Sequence, residues 1–177
     1  MKLRLFPILI SLSVSSVVLF GGWFLYDSVA MEKPLSDLVQ QTTGVQQADV
    51  RINNNQVTVD VRLSPDASLR EVYRKVKLDG ASIIGKRQLN IQVTGDSTET
   101  LDAIWSDTLF DVAQAMDTKL YSDIPKTLEQ LTAEHPGVSA MSEMDDTNVY
   151  VRITDGTHSK FVTLPRTPAR IGVWPNE

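Results

Sequence analysis

The hydrophobic pattern separates a uniformly apolar N-terminal run from a remainder in which apolar and polar residues alternate. No charged residue occurs between residues 5 and 26, and about twenty apolar residues are enough for a helix to cross a membrane. Lys2 and Arg4 precede this run and acidic residues follow it, which predicts an N-terminus inside the cytoplasm. We therefore predict a cytoplasmic stub and transmembrane helix at residues 1–26, with the rest of the chain outside the cytoplasm.

A cleaved signal peptide is the alternative interpretation of this segment. Ser28-Val29-Ala30 has the small residues after which signal peptidase cuts. The apolar run is longer than the core of a cleaved signal, which is usually about 7 to 15 residues. We predict a retained anchor. Cleavage after Ala30 would change the tether but not the compartment.

Residues 34–95 follow a linker at 27–33 and carry the pattern of an αββαβ module. Pro34 lies where a helix can begin, because the first helical turn needs no N–H donor. Strict alternation of apolar and polar residues then predicts the two strands of a hairpin. The predicted elements are helix 34–43, strands 48–52 and 57–63, helix 68–79 and strand 88–94.

The turn of this hairpin predicts its register. Asn54 and Asn55 form a two-residue turn, because asparagine tolerates positive φ. Ile52 then faces Val57, and every apolar side chain of the hairpin lies on one face. Both helices of the module should cover that face and leave the other face polar.

Residues 96–121 predict a long connecting helix, with Phe110 widening its apolar stripe. Such a broad stripe should pack against both modules and bury Trp105 between them. The stripe comprises Leu101, Ile104, Trp105, Leu109, Val112, Met116 and Leu120.

Residues 122–165 predict a second module of one helix and three strands, and 166–177 an irregular tail. Pro125 fits the first turn of the helix, and Asp155-Gly156 is a strong signal for a hairpin turn. The predicted strands are 138–144, 148–154 and 158–164. The fold class is thus α+β, with an N-terminal transmembrane helix, an αββαβ module, a connecting helix and a second module of antiparallel hairpins.

The two modules also show a weak internal repeat. Residues 55–59 match residues 147–151 at an offset of about ninety-two. Two explanations remain open: chance similarity between common helix-strand-strand units, or two versions of one αββ unit. The second version would close with a hairpin strand in place of a helix crossover.

Composition limits the chemistry. The chain has 22 acidic and 17 basic residues and no cysteine, so a nucleic-acid partner is disfavoured and thiolate chemistry is excluded. His135 and His158 have no partner at a catalytic or metal-binding spacing. Glu143, Asp145 and Asp146 could bind calcium but lack the ligand alternation of an EF-hand, so they are expected to solvate a turn. We predict no catalytic residues, no metal, no cofactor and no enzymatic activity.

Three regions are candidates for binding other proteins. The first is the polar face of the first sheet, with Arg51, Asp60 and Arg62. The second is an aromatic face of the second sheet, where the turn places Tyr150 opposite Phe161 with Arg152 beside them. The third is the tail, which carries Trp174. Tryptophan is a typical anchor residue of protein interfaces.

The aromatic face has an alternative explanation within the chain. A sheet that is apolar on one face and aromatic on the other needs two coverings. The long helix could cover one face, and the second module's own helix, through Leu128 and Leu131, could cover the other. An external partner on the aromatic face is the competing possibility.

The order of elements in residues 34–94, with Gly44-Val45 before the hairpin, resembles the ring-building modules of bacterial sporulation and secretion proteins and the alkaline-shock protein family. It is also similar to the lipid-associated BON domain, although Asn53-Asn54-Asn55 lacks the glycine usual there. The ring-building resemblance implies self-association at a membrane and no catalytic residues.

We therefore expect a single-pass, membrane-anchored binding or assembly module of the bacterial envelope. Its partner would be an envelope protein or a second copy. The alternative is a regulatory domain that binds a small ligand or lipid, with an enzyme less favoured. A large apolar cavity against either sheet would favour the ligand, and a filled core with an open sheet face would favour the protein partner.

Overall fold

The protein is α+β, as predicted. The computed structural model describes residues 5–95 and 97–166, without the side chains of residues 5–9, 24, 25 and 27–29. The helices are α1 (Leu5–Asp27), a π-helical turn (Ser28–Glu32), α2 (Lys33–Gln40), α3 (Leu69–Asp79), α4 (Ala81–Ile84), α5 (Glu99–Asp117) and α6 (Asp123–Glu134). The strands are β1 (Val45–Ile52), β2 (Gln56–Leu63), β3 (Gln88–Val93), β4 (Val138–Met144), β5 (Asn148–Asp155) and β6 (His158–Pro165).

The N-terminal helix α1 begins within the predicted apolar run and ends at Asp27. Among the residues that the structure describes, no helix is both long and apolar enough to cross a membrane. The predicted linker at 27–33 is helical, because the π-helical turn joins α1 directly to α2. The Glu32 carboxylate accepts a 3.0 Å hydrogen bond from the backbone N–H of Ile52, which fastens this turn to the end of β1.

Sheet A has three strands in the order β1-β2-β3. β1 and β2 are antiparallel, with Ile52 opposite Val57 as predicted, and β3 lies parallel to β2. The backbone N–H of Asn53 donates to the Gln56 carbonyl at 2.9 Å and closes the turn at Asn54 and Asn55. The predicted elements occur in the order α2, β1, β2, α3 and β3, with the short helix α4 added between α3 and β3.

Helices α2 and α3 cover the apolar face of sheet A. Leu35 and Val39 of α2 and Val72 and Val76 of α3 are completely buried with the central valines of β2. The hydroxyl of Ser68 accepts from the backbone N–H of Glu71 and caps α3 at the predicted position.

Sheet B has the order β4-β5-β6, and α5 and α6 lie together on its apolar face. α5 was predicted to pack against both modules, but its buried residues belong to the core of sheet B alone. Its buried face includes Val112 and Ala115, so Leu109 and Phe110 lie outside it; Phe110 is 79% exposed. Trp105 is buried within the second core and not between the modules.

The two halves share several features of one αββ unit. In both, a helix is followed by a glycine with positive φ, Gly44 (84°) or Gly137 (97°), and then by a hairpin. The side-chain oxygens of Asn53 and Asp145 each accept from the backbone N–H groups two and three residues further on. Shared turn geometry and register favour the repeat over chance similarity. The third strand distinguishes the halves, since β3 follows a helix and β6 a hairpin.

Helix α3 lies between the two sheets. Its Val72 and Val76 contribute to the core of sheet A, while its Tyr73 ring contacts the Tyr150 ring of sheet B at 5.1 Å between centroids. The layers are therefore sheet A, then α2 and α3, then sheet B, then α5 and α6.

The burial of α5 gives a testable prediction with a control on the same helix. Trp105→Ala should lower the free energy of unfolding by about 3–5 kcal/mol, because it removes a buried aromatic side chain. Phe110→Ala should stay within about 0.5 kcal/mol, as is usual for an exposed side chain. Denaturant unfolding of the two variants measures both values. Equal losses would contradict the buried face assigned to α5.

Candidate interaction surfaces

The outer face of sheet A, on the side away from α2 and α3, carries polar side chains that none of the described helices covers. It exists because alternation sends every second residue of each strand away from the core. Its members are Asp49, Arg51, Thr58, Asp60, Arg62, Asn90 and Gln92.

The three residues predicted on this face lie together. The Arg51 guanidinium forms an ion pair with the Asp60 carboxylate on the neighbouring strand; their side chains are 71% and 18% exposed. Arg62 is exposed two residues further along β2. This partly exposed ion pair contributes little to stability, so these charges are available to bind a partner without a large cost to the fold.

The aromatic face of sheet B is covered by the chain's own first module. Tyr150 is only 2% exposed and lies against Tyr73. Phe161 is partly buried against the first core, and the Arg152 guanidinium donates to the Ala67 carbonyl at 2.8 Å. Leu128 and Leu131 do not cover this face; they lie with α5 on the opposite one. The covering element is α3, which the sequence analysis did not consider.

The predicted register of the last hairpin is wrong by two residues. The turn lies at Gly156 and Thr157, so Phe161 faces Arg152 and not Tyr150. Gly156 has a φ of 60°, the positive value that favours glycine in such turns. A shift of two residues preserves the faces, so Tyr150, Arg152 and Phe161 still share one side of sheet B.

Polar contacts join the modules along both ends of α3. The Ser68 hydroxyl donates to the Glu143 carboxylate at 2.6 Å, and Arg70 lies 3.4 Å from the same carboxylate. At the other end the Lys77 ammonium donates to the Thr147 hydroxyl at 2.8 Å. Together with the tyrosine pair, these contacts fix sheet B against α3.

Asp145 organises the β4–β5 turn. Partial burial by itself would raise the pKa of this carboxyl, but donors from Thr147, Tyr150 and Asn148 outweigh that effect and lower it to about 2. Burial raises the pKa of the Tyr150 hydroxyl, and the adjacent Asp145 carboxylate raises it further. Asp145 therefore stabilises the turn, as the turn-solvation interpretation expected.

A cleft of about 430 Å³ opens between α3 and this turn. Arg74 on its wall is held by Glu71 at 2.6 Å. Leu78 and Met144 are exposed beside these charges. The full lining is Arg70, Glu71, Arg74, Lys77, Leu78, Met144, Asp145, Asp146 and Thr147. Basic and acidic side chains are equal in number, so the cleft has no strong preference for one sign of charge.

The remaining candidate residues are separate from these surfaces. His135 ends α6 and His158 begins β6. Within residues 5–95 and 97–166, no group of three His, Asp or Glu side chains is placed to hold a metal ion. Trp174 lies outside the described residues.

The sequence analysis missed the pairing of Tyr73 with Tyr150. The sequence analysis placed Tyr150 on an aromatic face of the second sheet and assigned Tyr73, on the helix predicted at 68–79, no contact with it. An aromatic residue on each module was a signal that the two modules could cover each other.

Comparison with family models, with curated proteins and with solved structures found no match. The resemblance of residues 34–94 to ring-building, alkaline-shock and BON modules therefore rests on element order alone.

The lowered pKa of Asp145 predicts an acid-dependent loss of stability. The charged form stabilises the fold above about pH 4, and this contribution disappears as the pH falls toward 2. Asp145→Asn should cost about 1 kcal/mol near neutral pH, after allowance for solvent screening, and little near pH 2. Denaturant unfolding across this range measures the difference. Asp146→Asn, on the exposed neighbour, is the control; an identical pH dependence in both variants would contradict the assignment.

Proposed function

We propose that this protein is a membrane-anchored binding or assembly module of the bacterial envelope, and that the outer face of sheet A contacts a protein partner. One observation carries the proposal. The corresponding face of sheet B is covered by α3, whereas the face of sheet A has no covering element among the described residues. The two units thus differ in whether this sheet face is covered. The uncovered face of sheet A is available to another molecule.

The proposed anchor is residues 1–26. In α1, the side chains of large apolar residues from Ile10 to Trp23 are predominantly exposed, which is expected for a helix whose surroundings are lipid. The apolar run extends beyond the stretch whose side chains are described. Lys2 and Arg4 before the run favour an exterior position for the α+β part.

A protein partner is favoured over a small ligand by the filled core. Leu101, Ile124 and Ile153 are at most 1% exposed and fill the space between the helices and sheet B. The outer face of sheet A is polar, and small-molecule sites are mostly apolar and concave.

A second copy of the chain is one partner that fits. The contact of α3 with sheet B already shows a helix layer of this fold seated on a sheet face. The α5–α6 layer of another copy could approach sheet A in the same manner, which would be a head-to-tail contact. Charged residues on the open face would then set the specificity.

The cleft beside α3 supports a second candidate function, a regulatory domain for a small ligand or lipid. Its volume of about 430 Å³ lies in the range of small-molecule sites. Exposed Leu78 and Met144 offer apolar contact next to Lys77.

Charge reversal tests the sheet face. Arg51→Glu with Arg62→Glu should abolish complementation in the source cell, because both charges face the proposed partner. The free energy of unfolding should change by no more than about 0.5 kcal/mol per site, the usual limit for surface changes. Complementation and denaturant unfolding of the same variants measure the two effects.

Three variants control this experiment. Lys126→Glu reverses an exposed charge on α6, away from sheet A. It should retain function when the partner is a different protein, and a loss of function with stability intact would identify the α5–α6 layer of a second copy as the contact. His135→Ala and His158→Ala should also be silent. Full function in the double arginine variant would overturn the proposed contact surface. Loss of function in either histidine variant, with stability intact, would favour an enzyme or a metal-binding protein.

The proposed orientation is tested by protease. Because the basic residues precede the apolar run, protease added outside intact protoplasts should digest the α+β part. A cytoplasmic protein of the same cells should stay intact as the control. Full protection of the α+β part would contradict an exterior location.

A further inference from the structure

Strand β4 is an outer strand of sheet B, and some of its backbone groups point away from β5. The Asp145 N–H donates to the Asn148 carbonyl at 3.0 Å, which makes these two residues a hydrogen-bonded pair. Such pairs alternate along an antiparallel ladder, so β4 bonds β5 through its odd-numbered residues. The N–H and carbonyl groups of Ala140 and Ser142 therefore point outward.

The corresponding strand of the first unit is β1, an outer strand of sheet A. Its hydrogen-bonded pairs continue from the bond between the Asn53 N–H and the Gln56 carbonyl. The same alternation then points the backbone groups of Ala48, Val50 and Ile52 away from β2.

Side chains of the chain itself protect this edge of β1. The carbonyl of Ala48 accepts from the Ser36 hydroxyl at 2.7 Å and from the Gln40 amide at 3.3 Å. The N–H of Ile52 donates to the Glu32 carboxylate at 3.0 Å. The π-helical turn and α2 thus occupy backbone positions that an added strand would need.

The edge of β4 has no such protection within the described part of the chain. The side-chain hydrogen bonds of α6, the helix before β4, stay within that helix. No other hydrogen bond from the described residues reaches the outward groups of Ala140 and Ser142. β4 also lacks the proline and lysine that commonly block edge strands, whereas the other outer strand, β6, carries Lys160 and Pro165.

The sequence of β4 is complementary to itself. Antiparallel pairing of two copies about Met141 overlaps the whole strand and places Ala140 opposite Ser142, whose short side chains allow close approach. Glu143 then lies opposite Ser139, so no charge faces a like charge. Met141 is 51% exposed and would lie against Met141 of the second copy.

We propose that β4 pairs with β4 of a second copy, antiparallel and about a two-fold axis at Met141. The backbone groups of Ala140 bond those of Ser142 across the axis, and sheet B continues from one copy into the other. The contact is isologous, because both copies use the same strand. It is independent of the proposed contact at the outer face of sheet A.

The absence of cysteine allows a direct test, since any disulfide must join introduced residues. In the full chain in detergent solution, Met141→Cys places two thiols at a non-hydrogen-bonded pair, where Cα atoms lie about 4.5 Å apart, within disulfide range. Asp49→Cys is the matched control, because Asp49 is exposed at the corresponding position of the protected strand β1. After mild oxidation, Met141→Cys should give at least about tenfold more disulfide-linked dimer, because pairing raises the effective concentration.

Sedimentation equilibrium of uncrosslinked chains gives a second measurement. Met141→Lys places two like charges on the axis and should weaken dimerisation by about tenfold or more. Met141→Leu keeps an apolar side chain and should dimerise as the wild type does. Ser142→Pro removes an outward N–H and should also weaken dimerisation, whereas Ser142→Ala keeps that N–H and should not.

Equal crosslinking of the two cysteine variants, together with dimerisation that Met141→Lys does not alter, would overturn the proposal. A wild-type chain that stays monomeric up to its highest soluble concentration would overturn it as well. Arg51→Glu with Arg62→Glu should leave the Met141→Cys disulfide unchanged. Loss of the disulfide in that background would overturn the proposal, because the contact would then require the face of sheet A.

Discussion

The arrangement of the molecule depends on α3 being buried from two sides. Its valines belong to the core of sheet A, and Tyr73 on its flank packs against Tyr150 of sheet B. A helix with one apolar stripe needs one covering surface. Helix α3 has a second covering surface, because its flank carries an aromatic ring and its ends carry charged residues. Glu143 and Thr147 hold those ends. Together with Arg152 and Phe161, which also contact the first unit, they fix the relation of the two αββ units.

The repeat explains why the two sheets have different environments. Both units use the same turn geometry at Asn53 and Asp145 and bury the same face of their hairpin. The first unit follows its hairpin with a helix, and that helix also covers the second unit. The second unit follows its hairpin with a strand, and no further helix follows that strand within the part of the chain that the structure describes. One sheet face consequently remains open, and it carries charges instead of aromatic residues.

The features of the fold that depend on local sequence could be predicted. The features that depend on long-range contacts could not. Strict alternation around Val50 and Val59 defined the strands, and Asn54-Asn55 fixed the register, because both signals act over a few residues. The register of the last hairpin was predicted wrongly because Gly156 can belong to a turn at 155–156 or to a turn at 156–157. Sequence alone does not show which residues of the turn have positive φ. The buried side of α5 was misjudged because its sequence is apolar on more than one side. The open charged face around Arg51 could be anticipated from alternation, whereas the covering of Tyr150 required knowledge of how two modules pack.

The continuous helical path from α1 through the π-helical turn to α2 gives the chain a mechanical property. A helix rises about 1.5 Å per residue. A tilt of α1 therefore displaces the N-terminal end of the helix by a distance that increases with helix length. Leu35 and Val39 of α2 are completely buried in the first core, and Glu32 fastens the junction to β1. These contacts restrict rotation of sheet A relative to the junction between α1 and α2. Bending must concentrate in the π-helical turn, where the backbone hydrogen bonding departs from the α-helical pattern.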